Sequence, residues 1–307
     1  MNAAERTTPR RGRGKSQASL NLIAAAKTIL EEIQPASIRA VCYRLFVNKL
    51  IASMSKNNTN AVGRLLVDAR ESGVIPWNWI VDENREAERI ATWADPDSII
   101  EAAIRSYRKN YWQTQPERVE VWSEKGTVRG TLKNVLDEYG VTFRVMHGYG
   151  SATSLHDIAE ETMENTKPLT VLYVGDWDPS GLHMSEVDLP GRLQRYGGDL
   201  EIIRVALDQS DVAPGSELPF FEVETKAKDP RYDWFVRHYG QRCWELDALS
   251  PNDLRQRVDA EIQQLLDVDS WKHSVEVEAA ERDSMKHVLG NWRSISMQAS
   301  KYSGDAL

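Results

Sequence analysis

The chain has 307 residues, 41% hydrophobic and 27% charged, with a net charge of −8, the proportions of a soluble protein long enough for two domains. No apolar run approaches the roughly 18 residues of a membrane span. Only Cys42 and Cys243 are present, which excludes a disulfide framework or a four-cysteine zinc site. The polar start has no apolar h-region, so no secretory signal is expected and the cytoplasm is the expected compartment, with nucleoid association in a prokaryote.

The acidic balance is not uniform along the chain. Arg6, Arg10, Arg11, Arg13 and Lys15 face only Glu5 at the start, so residues 1–19 read as a basic, disordered arm on an acidic body. Arg11 and Arg13 in an Arg-Gly-Arg segment suit entry into a DNA minor groove. A solubilising terminus accounts for them equally well.

Leu22, Ile23, Ala26 and Leu30 recur at helical spacing until Pro35. A second helix is expected over "SIRAVCYRLFVNKLI" with Ser37 as N-cap. A third follows the "NNTN" turn, capped by Thr59 or Asn60 and stopped by Gly73. "VIPWNWIVDENRE" reads as two short strands about a Pro-Trp-Asn turn. Three helices and a hairpin is the order of a winged-helix domain, a helix-turn-helix variant, expected over residues 20–115. Arg64 and Arg70 of the third helix are candidates for DNA phosphate contact, with a solvated helix face as the plain alternative. Trp77 and Trp79 read as packing residues of the wing.

After a helix over "ADPDSIIEAAIRSYRKNY" and a polar linker, strands and helices alternate. The strands are "RVEVWSE", "VTFRVM", "LTVLYVG" and "LEIIRVAL". Such alternation predicts a Rossmann-like parallel sheet over residues 116–307, ending in a helical acidic tail. Sheets of this kind bind ligands at the carboxyl ends of their strands.

Two of those ends carry acids. Asp176 and Asp178 follow "LTVLYVG", and Glu124 follows "RVEVWS". Side chains at i and i+2 of an extended segment point the same way, so both aspartates can reach one ion. Hard carboxylate oxygens select Mg²⁺, with Mn²⁺ as an alternative. Asp-x-Asp alone also fits a turn residue and a cap, and it occurs in haloacid-dehalogenase phosphatases and metal-dependent glycosyltransferases. His147, His156 and His183 match no zinc spacing and read as surface or capping residues. "ETKAKDPRYDWF" reads either as a DNA contact or as a solvated loop.

"SEKG" after the first strand, "HGYGSATS", and "GDWDPSG" after the third strand together resemble a Toprim domain. The closest variant is that of the topoisomerase VI A subunit and the related meiotic double-strand-break transesterases. The resemblance runs from about residue 20 to 265 and includes Arg39 and Tyr43 in "IRAVCYRLF", spaced as the family's arginine and nucleophilic tyrosine. It implies a winged-helix domain before the Toprim domain. It also implies Mg²⁺ on Glu124, Asp176 and Asp178, and cleavage of double-stranded DNA by Tyr43 with Arg39 and Glu124 assisting. A homodimer is implied, with the tyrosine of one subunit meeting the metal site of the other. Ala40 stands where the family has an acid, and Cys42 where it has an aromatic. Strand passage would need a separate ATPase subunit. The enzymatic alternative is a Toprim nuclease using a metal-bound water, and the non-enzymatic one is a DNA-binding protein of the same fold.

Overall fold

The computed structural model describes residues 16–81, 92–146 and 152–304, the side chains of 295–304 excepted. Arg11 and Arg13 therefore lie outside the described residues, as do His147 and most of the glycine-tyrosine segment. The chain forms two compact units, Met1–Asp82 with Asp247–Asn252, and Glu83–Leu246 with Asp253–Leu307. Among the described residues no helix is long and apolar enough to cross a membrane.

In the first unit, α1 (Gln17–Ile33) starts at Ser16, whose hydroxyl accepts from the Ser19 N–H, and ends before Pro35. A two-residue strand, β1 (Ala36–Ser37), leads into α2 (Ile38–Val47). Ser37 caps α2 as expected: its Oγ accepts from the Ala40 N–H at 3.1 Å and donates to Asp247 at 2.5 Å. The third helix, α3 (Lys56–Glu71), begins earlier than the expected cap at Thr59 or Asn60, with Ser55 at the N-cap position. Thr59 instead bonds back to the Ser55 and Lys56 carbonyls, 3.2 Å each, within the first turn. Gly73 follows the helix with φ +73°, a conformation that needs glycine. Ile23, Leu30, Val41, Leu45, Val62 and Leu66 close the core between the three helices, each worth about 1.5–3 kcal/mol of burial.

The hairpin expected over Val74–Glu86 is corrected in its described part, Val74–Val81, while Asp82–Glu86 lie outside the described residues. The Val74 and Ile75 N–H groups both bond to the Ala69 carbonyl, at 2.9 and 3.2 Å, so they are tied to the end of α3 and unavailable to a ladder. Trp77–Trp79 is a 3-10 turn. In the described part of this segment the strand is β2 (Ile80–Val81), which pairs parallel with β1, Ala36 opposite Ile80.

The second unit starts with α4 (Pro96–Ser106), capped by Asp95. Strand β3 (Arg118–Ser123), α5 (Thr127–Tyr139), β4 (Thr142–Val145), α6 (Ala152–Glu164) and β5 (Leu169–Val174) follow. The single helix expected after β5 is α7 (Pro179–His183), a π turn over Met184–Asp188, and α8 (Leu189–Arg195). Then come β6 (Leu200–Ala206), β7 (Phe221–Glu222), α9 (Tyr232–Tyr239), β8 (Arg242–Cys243), α10 (Pro251–Leu265) and α11 (Val268–Gly304). Residues 92–115, expected with the helical domain, pack within this unit: Arg293 of α11 pairs with Asp97 at 3.0 Å and with Glu101.

Strands β4, β3, β5 and β6 lie side by side in that order, all parallel. This is the α/β sheet the alternation predicted. Trp122, Leu155, Ile158, Val171, Tyr173, Leu189 and Leu193 form a core against it. The chain runs from β3 to β4 on one side, then crosses back to place β5 on the other side of β3. The winding therefore reverses between β3 and β5, where loops diverge and open a crevice at the strand ends.

Candidate active site

The β3–β5 register pairs Ser123 with Val174. The next residues out are Glu124 on one strand and Gly175 on the other, with Asp176 one step further. The three predicted carboxylates thus leave the sheet side by side at the point of reversal. Glu124, Asp176 and Asp178 line one cavity of about 460 Å³, with Lys125, Gly126, Thr127, Ser180, Lys226 and Asp229.

Local structure fixes each aspartate. Trp177 pairs with Trp244 by two backbone bonds of 2.9 Å, which keeps Asp176–Asp178 extended. The Trp177 side chain is buried and meets Tyr239 edge to face at 5.3 Å between centroids. Its neighbours on either side present their carboxylates to the cavity, as the i, i+2 rule predicts. Asp178 caps α7, its Oδ1 accepting from the Gly181 N–H at 2.7 Å, while Oδ2 meets Lys226 Nζ at 3.0 Å. Asp176 Oδ1 accepts from Lys125 Nζ and from the Leu246 N–H, both at 2.8 Å.

Arg204 of β6 braces the same turn from behind. Its guanidinium donates to the carbonyls of Leu207 (2.6 Å), Gly175 (3.1 Å) and Asp176, and to Ser185 Oγ (2.6 Å). It also lies 5.3 Å from the Tyr173 ring centroid. Gly181 is required by contact: a Cβ there would fall inside the envelope of the Asp176 carbonyl oxygen. Gly181→Ala should therefore displace the aspartate turn, costing about 1–3 kcal/mol of stability while the far-UV circular dichroism stays unchanged. A wild-type melting temperature in that variant would disprove the steric argument.

The electrostatics are those of crowded acids. Burial, and then the charges of Asp176 and Asp178, raise the Glu124 pKa above its ordinary value, with Lys125 and Lys226 opposing. Burial also raises that of Asp176, against the pull of Lys125. Among the described residues, the His, Cys, Asp or Glu donors that all lie within 4.8 Å of one another are the exposed His156, Asp157 and Glu160. The cavity trio is more widely spaced, with lysines seated on both aspartates. Its all-oxygen donor set and mutual repulsion nevertheless fit a hard divalent cation.

The other predicted residues belong to the first unit. Arg39 and Tyr43 are one turn apart on α2, with the guanidinium 6.0 Å from the ring centroid. Tyr43 is only 5% exposed. Arg39 and the exposed Arg64 border a groove of about 660 Å³ between α2 and α3, floored by Ile38, Cys42 and Val67. Arg70 is corrected: it is buried, with its guanidinium 4.8 Å from the Trp77 ring centroid, and is not displayed for phosphate. Four residues fell outside the sequence reading of the site. Lys125 was visible in "SEKG" and Lys226 and Asp229 in "ETKAKDPRYDWF", while Arg204 announced itself only as a charge inside an apolar strand.

The chain matches none of the known protein-family models and none of the curated proteins.

Proposed function

We propose that the chain is a Toprim-type enzyme that cleaves double-stranded DNA by tyrosine transesterification and requires Mg²⁺, working as a homodimer. The observation that carries this reading is the convergence of Glu124, Asp176 and Asp178 on one cavity at the β3–β5 reversal. A divalent cation held by these three would supply positive charge to the scissile phosphate and the departing 3′ oxygen. The Tyr43 phenol gives its proton to a base, Glu124 or solvent, the phenolate oxygen bonds to phosphorus, and the P–O3′ bond breaks. The products are a 5′-phosphotyrosine and a 3′ alkoxide that takes up a proton to become the 3′-hydroxyl. Arg39, one turn away, favours the phenolate by its charge. The three-helix unit is read as the helix-turn-helix part of a winged-helix DNA-binding domain, with Arg64 as a phosphate contact. Strand passage would call on a separate ATPase subunit.

One observation favours a second reading. Tyr43 is packed into the first unit with little exposure, as a core aromatic would be, and the carboxylate trio alone suffices for hydrolysis by water. The test is cleavage of duplex DNA in Mg²⁺ by wild type, Tyr43→Phe and Asp176→Asn, scored for protein attached covalently to 5′ ends. Transesterification requires an adduct with wild type and none with either variant. Cleavage by Tyr43→Phe but not Asp176→Asn would replace it with hydrolysis. DNA binding without any cleavage would leave a binding protein.

A further inference from the structure

We infer that Lys226 is a counter-ion that changes partner: it holds Asp178 until a divalent cation arrives, and is then transferred to a phosphate of the bound DNA strand. This rests on the reading of the cavity as a metal-dependent DNA-cleavage site and assigns a residue of that site outside the acidic motifs.

The two aspartates are not equivalent. Among the described residues both bonds to Asp176 fall on Oδ1, so Oδ2 can take a cation while Lys125 stays in place. Asp178 has both oxygens engaged, Oδ1 by the Gly181 N–H and Oδ2 by Lys226. The Oδ1 bond is the cap of α7 and orients the carboxylate. A cation that uses Asp178 must therefore compete with Lys226 for Oδ2.

Lys226 is built to leave. Its side chain is 41% exposed, against 6% for Asp178. It ends a 3-10 turn, Val223–Lys226, anchored by the buried Val223 and by a 2.8 Å bond from the Val223 N–H to the Gln241 carbonyl. The backbone can stay fixed while the long side chain swings. Both Lys226 and the trio line the same cavity, so an ammonium released from Asp178 remains where a phosphate bound beside the cation would sit. No proton moves: the dication replaces the ammonium at the carboxylate, and the ammonium finds a new anion in the phosphate.

The consequence is a cation-dependent contribution of Lys226 to DNA affinity. Anisotropy of labelled duplex DNA, with the full chain in EDTA or in Ca²⁺ as a cation that supports binding without turnover, should separate two states. Lys226→Met should match wild type within about twofold in EDTA and bind about tenfold more weakly in Ca²⁺. Without DNA, the same variant should bind Mn²⁺ several-fold more tightly than wild type by calorimetry, because the competitor is gone. Lys226→Gln, polar and uncharged, should reproduce both effects and guards against a folding defect peculiar to methionine. An equal loss of DNA affinity in EDTA and Ca²⁺ would overturn the exchange, leaving a lysine of general electrostatic effect. Failure of the wild type itself to bind Mn²⁺ would overturn both the exchange and the metal-dependent reading beneath it.

Discussion

Glu124→Gln is expected to abolish Mg²⁺-dependent cleavage, by about 100-fold or more, while raising the melting temperature of the cation-free protein at neutral pH. The two effects share one cause. Glu124 shares a cavity with Asp176 and Asp178, and its pKa is raised by burial and by their charges. Lys125 and Lys226 neutralise the aspartates, so Glu124 is the carboxylate left in excess. An acid whose folded pKa lies above its unfolded value destabilises the fold once ionised. Stability then falls as pH rises from the unfolded pKa through the folded one, and the deficit is complete above it. Glutamine keeps the shape and cannot ionise. The variant should therefore show a shallower descending limb in a pH series of melts, the remainder belonging to Asp176, whose pKa burial also raises, and each kcal/mol of relieved repulsion should add about 2–4 °C at pH 7.

A ligand that binds only the folded state adds stability according to its concentration over its Kd. Mg²⁺ should therefore raise the melting temperature of wild type, and raise that of Glu124→Gln much less. Paired scanning-fluorimetry melts in EDTA and in Mg²⁺ make the comparison. A variant less stable than wild type in EDTA would show that Glu124 is structural rather than held against its own electrostatics.

How much of this site was legible beforehand depends on whether its parts are local. Glu124, Asp176 and Asp178 stand at the ends of apolar strands, and a parallel sheet brings such ends to one edge whatever the rest of the chain does. The geometry of Asp176 and Asp178 follows from extended backbone alone. Lys226 could not be placed in this way, because a turn far along the chain carries it to Asp178. The third helix misled through composition: "NNTN" reads as a turn, yet Thr59 returns its hydroxyl to the preceding carbonyls and the buried Val62 and Leu66 hold the helix in place. The described half of the expected hairpin departs for a related reason, since Val74 and Ile75 are apolar and β-branched like a strand but spend their N–H groups on Ala69. Arg70 was legible and overlooked. It follows Leu66 by four residues and so falls on the helix face that Leu66 buries.

Arg204→Met should be the most damaging single change to the aspartate turn, costing about 3–5 kcal/mol. Methionine nearly matches the arginine stem in length and can fill the space against Tyr173, so the loss isolates the guanidinium. That group donates to the Leu207, Gly175 and Asp176 carbonyls and to the Ser185 hydroxyl. The Gly175 carbonyl keeps its 2.8 Å bond from the Leu207 N–H, whereas the Asp176 carbonyl, among the described residues, accepts from Arg204. Burial lowers the Arg204 pKa from its ordinary value, yet that value lies so far above neutrality that the group keeps its charge. Its positive charge also sits behind two carboxylates, so its removal adds repulsion to the lost bonds. The expected result is a fall in melting temperature of about 10 °C and a loss of Mn²⁺ affinity in the protein that remains folded at 20 °C. Arg204→Lys, with one ammonium in place of the fork, should recover part of the stability but not the alignment of both aspartates. A melting temperature within 2 °C of wild type for Arg204→Met would mean that the β5–β6 ladder and the Trp177–Trp244 bridge hold the turn without it.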